Sequence, residues 1–235
     1  MTKRVILLVC LVFAGMIGIG LTGRAEEPVV ETRAYLHLEQ DVCYLPSVQG
    51  KMPLVVLAHN GGGSKGGWGD FPQELAGEGF FVLSVNWSLD GPEDLEEAII
   101  ATMRKYAGKI DRTRVAFAGG CHGAVKLVKV FARGPSTGGI KYQVKTIVAL
   151  SISGKDEELI KAFQAPHPPV LAVYTTRNRY GYAGINKEVA EEVITEPKRV
   201  VALEATPHGQ SMVTDGTTRA ETREIIITWL KEQLQ

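Results

Sequence analysis

The sequence predicts an α/β fold, a mostly parallel sheet with helices on both faces, and three observations carry that prediction. Strand-like runs such as Pro53–Ala58, Phe80–Val85 and Val144–Leu150 are apolar throughout, as strands buried on both faces are. Segments of helical periodicity separate them, which is the alternation that parallel strands need. A further short run, Arg114–Ala118, feeds into Gly119-Gly120-Cys121-His122-Gly123 and then into a helix over Ala124–Arg133. Such a strand–turn–helix junction presents its central residue at the carboxyl end of a sheet.

From the N-terminus, Lys3 and Arg4 precede 17 apolar residues, Val5 to Leu21, and Thr22-Gly23-Arg24-Ala25 leads into Glu26-Glu27-Pro28. Charged, apolar and small segments in that order predict an export signal, residues 1–25, cleaved after Ala25. The competing reading is an uncleaved membrane anchor, but the run is short for a span and Gly15, Gly18 and Gly20 weaken it. Cleavage would leave residues 26–235 as one domain, periplasmic or secreted, with no stable membrane association. It removes three of the 26 basic residues (Lys3, Arg4, Arg24) and none of the 26 acidic ones, leaving a net charge of −3. That balance excludes an electrostatic nucleic-acid binder.

Arg33–Leu38 and Val42–Leu45 are expected as two strands joined by a turn around Glu39–Asp41. After Pro53–Ala58 come a glycine-rich loop and a helix opened by Asp70, with Pro72 in its first turn and Gly77 and Gly79 at its end. Glu93–Tyr106 is a helix whose inner face carries Leu95, Ile99, Thr102, Met103 and Tyr106, with acids early and bases late, as the helix dipole favours. Beyond the Cys121 turn follow a strand Val144–Leu150, a helix Asp156–Phe163, a strand Val170–Tyr174, a helix Asn186–Ile194, a strand Arg199–Leu203 and a last helix Thr218–Leu234.

Chemistry is expected at the carboxyl ends of the strands. Gly119 and Gly123 are the small residues that a strained nucleophile turn needs, and Cys121 between them meets a helix N-terminus, where a thiolate is favoured. Cys43, the other cysteine of the processed chain, is placed late in an edge strand, too far off for a disulfide, so Cys121 is expected as a free thiol. After the last strand, Ala205-Thr206-Pro207-His208-Gly209 offers His208 as the base, in the chain order nucleophile, orienting group, histidine. After Leu57-Ala58, the loop His59-Asn60-Gly61-Gly62-Gly63-Ser64 supplies a close-approaching backbone, so the N–H groups of Gly61 and His122 are the expected oxyanion donors.

The loop Thr175-Thr176-Arg177-Asn178-Arg179-Tyr180 holds no acid, and Asn178 stands where an aspartate would orient the base. A thiol tolerates this. With a pKa of about 8.5, cysteine can pass its proton to His208 beforehand in a thiolate–imidazolium pair, for which an amide suffices to orient the ring. Asp215 and Glu204 are the alternative acids. His59, Asn60, Trp68, Trp87, Tyr180 and Tyr182 fall on loops at the same rim as a possible substrate pocket.

On Gly119-x-Cys121-x-Gly123, the His59-Asn60-Gly61 loop and His208, the chain from about Arg33 onward resembles the α/β-hydrolase superfamily, and most its dienelactone hydrolase-like branch. That resemblance implies a fold without a large cap and cleavage of a small acyl substrate, an ester, thioester or lactone, with no cofactor and no metal. Asn178 and Asn60 depart from it, standing where the family carries an aspartate and a glutamate that regulates the thiol. The readings that compete with a hydrolase are a binding or thiol-sensing protein that keeps the fold without turnover, and a redox-active thiol, which here lacks a neighbouring resolving cysteine.

Overall fold

The computed structural model describes residues 26–35, 38–88, 92–134 and 139–234; the expected export signal, residues 1–25, lies outside them. One eight-stranded sheet runs through the molecule. Its strands are β1 (Val29–Tyr35), β2 (Leu38–Tyr44), β3 (Met52–Ala58), β4 (Phe81–Val85), β5 (Ile110–Gly120), β6 (Val144–Leu150), β7 (Val170–Thr175) and β8 (Lys198–Leu203), in the spatial order β1-β2-β4-β3-β5-β6-β7-β8. β2 pairs antiparallel with β1 and β4, and every other neighbouring pair is parallel.

The helices are α1 (Phe71–Gly77), α2 (Glu93–Lys105), α3 (His122–Arg133), α4 (Glu157–Gln164), α5 (Ala183–Glu188), which continues into a π turn over Val189–Val193, and α6 (Arg219–Leu234). Alternate strand residues divide the core in two. Leu54, Val56, Phe117 and Ile147 pack with Leu95 and Ile99 of α2, Leu127 of α3 and Phe163 of α4. Val55, Leu57, Ala116 and Val148 pack on the other face with Leu75 of α1 and Ile226 and Leu230 of α6. The continuous apolar runs are thus explained: strands between two helical layers have no wet face.

Two expectations change. The turn expected at Glu39–Asp41 is strand, because Tyr35 pairs with Leu38 and Glu39 and Asp41 alternate along β2 with the buried Gln40 and Val42. β2 is therefore an inner strand and β1 the edge, and Cys43 is enclosed rather than peripheral. Asp70 precedes α1 as expected but does not cap it with its side chain. It pairs instead with Arg223 and Arg219 of α6, fastening the helices α1 and α6 to one another. Among the described residues, no helix is long and apolar enough to cross a membrane.

Candidate active site

At the carboxyl end of β5 the chain reverses into α3 within one residue. Cys121 takes up that reversal with φ 51° and ψ −119°, outside the ordinary regions for a side-chain-bearing residue. The glycines around it are required by close approach. A Cβ on Gly123 would lie 2.3 Å from the His59 carbonyl oxygen, and one on Gly119 would lie 2.4 Å from the Ala124 nitrogen. At Gly120 it would meet Asn60 Oδ1 at 2.2 Å and the Gln210 nitrogen at 2.6 Å. The turn after β5 is therefore wedged between the loops that follow β3 and β8. This brings Cys121 next to both.

The Cys121 sulfur lies 3.0 Å from Ser153 Oγ and 3.2 Å from His122 Nδ1. The two cysteines among the described residues, Cys43 and Cys121, are free and buried, and burial, with Asp41 nearby, pushes the Cys43 thiol up to about 11. The N–H of His122 opens α3 and has no earlier carbonyl within its own helix to bond, as an oxyanion donor needs. Gly61 adjoins the His122 side chain, for a Cβ there would come within 3.1 Å of His122 Nδ1.

The loops after β7 and β8 are zipped together by backbone bonds from the amides of Thr176, Arg177 and Arg179 to the carbonyls of Leu203, Ala205 and Thr206, at 2.9 to 3.1 Å. That register sets Asn178 against His208, with Asn178 Nδ2 2.6 Å from His208 Nδ1. Asn178 Oδ1 accepts the Tyr180 N–H at 3.0 Å, and its Nδ2 also reaches Asn186 Oδ1 at 3.4 Å. The other nitrogen of His208, Nε2, is buried and has no hydrogen-bond partner among the described residues. The Tyr180 and Tyr182 rings flank the imidazole at 5.3 and 5.6 Å and are themselves exposed.

Burial, reinforced by electrostatic interaction with His122 and Arg179, pushes the His208 pKa down to about 4. The ring is therefore neutral at pH 7, and this burial works against the resting thiolate–imidazolium pair expected from the sequence. Neither alternative acid reaches the ring. Asp215 pairs with Arg179 at 3.2 Å and accepts from Thr217, while Glu204 is exposed, 3.8 Å from Arg177.

Several residues expected along a pocket serve elsewhere. Trp68 is fully enclosed beside Phe71 in the core, because the 3-10 turn Lys65–Trp68 points it inward. Asn60 is a clamp: its backbone N–H donates to Gln210 Oε1 at 2.6 Å, its Oδ1 accepts from the Gln210 N–H at 2.9 Å, and its Nδ2 donates to the His208 carbonyl at 3.2 Å. His59 is buried with both nitrogens occupied and is stacked on Trp87. Trp87 lines a groove of about 390 Å³ with His122, Val125, Lys126 and Lys129.

Ser153, Asn186 and Gln210 were not singled out from the sequence. Ser153 follows β6, so a search of that strand's end would have reached it. Asn186 and Gln210 act through contacts 8 to 150 residues distant and leave no local signal.

No family model and no curated protein matches the chain. Solved structures match it in shape far more than in sequence. A bacterial heroin esterase superposes with a TM-score of 0.69 at 15% identity, over 88% of this chain and 84% of that one. Esterase B from Lactobacillus rhamnosis gives 0.65 at 13% identity, covering 89% and 87%. A fungal esterase from Rhizomucor miehei gives 0.65 at 16%, covering 88% and 83%. With the strand order above, these likenesses identify the α/β-hydrolase fold.

Proposed function

We propose that this chain is an exported hydrolase that opens the carbonyl of a small ester, thioester or lactone through an acyl intermediate on Cys121. The observation that carries the reading is the strained Cys121 turn. It holds a thiol at the start of α3, 3.2 Å from the His122 imidazole and next in the chain to a helix-opening backbone N–H, which supports nucleophilic attack with an oxyanion met at that N–H. The structural neighbours include esterases, which agrees with the chemistry. In this reading the thiol sulfur attacks the acyl carbon, the N–H groups of His122 and Gly61 meet the oxyanion, and water then cleaves the thioester. His208, positioned by Asn178, and His122 are the imidazoles available to the reaction. The exposed Tyr180 and Tyr182 receive the substrate from the His208 side and Trp87 from the His122 side. The reading needs no cofactor and has a small acyl compound as its partner.

One observation favours a second reading, a protein that binds or senses through Cys121 without turnover: the imidazole of His208 meets an amide where a carboxylate would support its positive form. A single experiment separates the two. Incubation with p-nitrophenyl acetate should release nitrophenolate continuously and leave an acetyl group on the Cys121 peptide by mass. Cys121→Ala should lower the rate at least about 1,000-fold. Activity retained in that variant, or no acyl adduct and no turnover in the native protein, overturns the hydrolase reading.

A further inference from the structure

We infer that the two histidines divide the proton work: Asn178 holds His208 as a pure hydrogen-bond donor with its ring proton on Nε2, and His122 Nδ1 takes the proton of the Cys121 thiol. The inference deepens the hydrolase reading and rests on it.

The relevant contacts begin at Asn186, two hydrogen bonds from His208. Asn186 is fully buried, and its Nδ2 donates to the carbonyls of Ser151 and Ile152, at 3.2 and 2.8 Å. Its Oδ1 is thereby the end turned to Asn178, and it faces Asn178 Nδ2. The Tyr180 N–H independently requires an acceptor and finds Asn178 Oδ1. Reversing the Asn178 amide would set NH2 against the Tyr180 N–H and oxygen against Asn186 Oδ1, two repulsive contacts in a buried network. The amide nitrogen of Asn178 therefore faces His208 and donates to Nδ1, occupying the lone pair there. A neutral ring whose Nδ1 accepts carries its proton on Nε2. That nitrogen has no lone pair in the ring plane, so it can donate a hydrogen bond to the reacting atoms but cannot take a proton from them.

His122 has the complementary situation. Its Nδ1 is 3.2 Å from the sulfur, and its ring is exposed, so water solvates the charge it acquires. The thiol proton passes to His122 Nδ1, the sulfur forms its bond to the acyl carbon, and the C–O bond breaks as His122 returns the proton to the leaving oxygen. Water then gives a proton to His122 as its oxygen attacks the thioester. The C–S bond breaks, and the sulfur recovers the proton. Ser153 Oγ, 3.0 Å from the sulfur, positions the thiol or thiolate throughout.

The test uses the processed chain and three readouts. Nitrogen-15 NMR of labelled histidines at pH 7 should find His208 neutral with the proton on Nε2. His122→Ala and His122→Gln should each slow alkylation of Cys121 by iodoacetamide about tenfold, read on the Cys121 peptide so that Cys43 does not interfere, and slow acylation by p-nitrophenyl acetate about 100-fold. Adding Asn178→Asp to His122→Ala should restore much of that acylation, because a carboxylate moves the proton to Nδ1 and frees Nε2 as a base. A His208 protonated on Nδ1 in the native protein, unchanged alkylation in both His122 variants, or a double variant that stays slow overturns the division of roles. If NMR and alkylation come out as expected while no acyl adduct forms on the native protein, the proton assignment stands and the hydrolase reading falls.

Discussion

His59 and His208 stand on loops at the same end of the sheet, after β3 and β8, and water reaches neither: they are 4% and 3% exposed. Burial pushes the pKa of both down. They part company at their nitrogens. His59 donates from Nδ1 to the Asn60 carbonyl at 2.7 Å and accepts the Trp87 N–H on Nε2 at 3.3 Å, while its ring stacks on Trp87 with 4.8 Å between centroids. His208 has one nitrogen engaged by Asn178 and the other, among the described residues, without a hydrogen-bond partner. A buried imidazole with both ends filled is a bracket, and one left half-filled is the one to examine for a functional role. Depth alone does not tell them apart.

The sharpest way to break this comparison is to remove each ring. We expect His208→Ala to lower kcat/KM about 100-fold or more on p-nitrophenyl acetate, with a urea midpoint close to that of the native protein. His59→Ala should do the reverse, costing about 2 to 4 kcal/mol in stability through the lost stacking and the orphaned Trp87 N–H. Turnover lost in His59→Ala at unchanged stability would erase the distinction.

A smaller effect should appear on acidification. Below about pH 6.5 an unfolded histidine takes up a proton, whereas the folded His208 resists until about pH 4. Its folded pKa is the lower one, so its contribution to stability is whole above about pH 6.5 and is lost progressively as the pH falls toward 4. Urea midpoints at pH 7 and pH 5 should therefore lie closer together in His208→Ala than in the native protein. A drop of native size in the variant would show that the ring titrates freely. The mildest change belongs to the edge: Tyr182→Ala, which thins the aromatic flank of His208, should raise KM a few-fold and leave kcat nearly unaltered.

Much of this was legible in the chain itself, and the reasons are local. Gly119-x-Cys121-x-Gly123 after an apolar run is a backbone requirement written in residue sizes, and the continuous strands announce a sheet covered on both sides. The expectation failed where a residue's meaning depends on distant partners. Glu39 and Asp41 have the composition of a turn, yet pairing with β1 and β4 keeps them in a strand. Trp68 lies in a glycine-rich loop and reads as a rim residue until Phe71 and the 3-10 turn bring it inside. The amide chain from Asn186 through Asn178 to His208 decides which nitrogen carries a proton. No spacing rule encodes which way an amide faces.

The clamp between Asn60 and Gln210 joins positions 150 residues apart in the chain. Nearly the whole polypeptide must be in place before that knot can be tied, and loop closure over such a length weighs against forming it early. Cys121, its turn and the glycine loop can assemble on the first five strands, but His208 is delivered only with the last. The pairing of His208 with Asn178 thus forms only at the end of folding, and partly folded chains carry Cys121 and His122 without it.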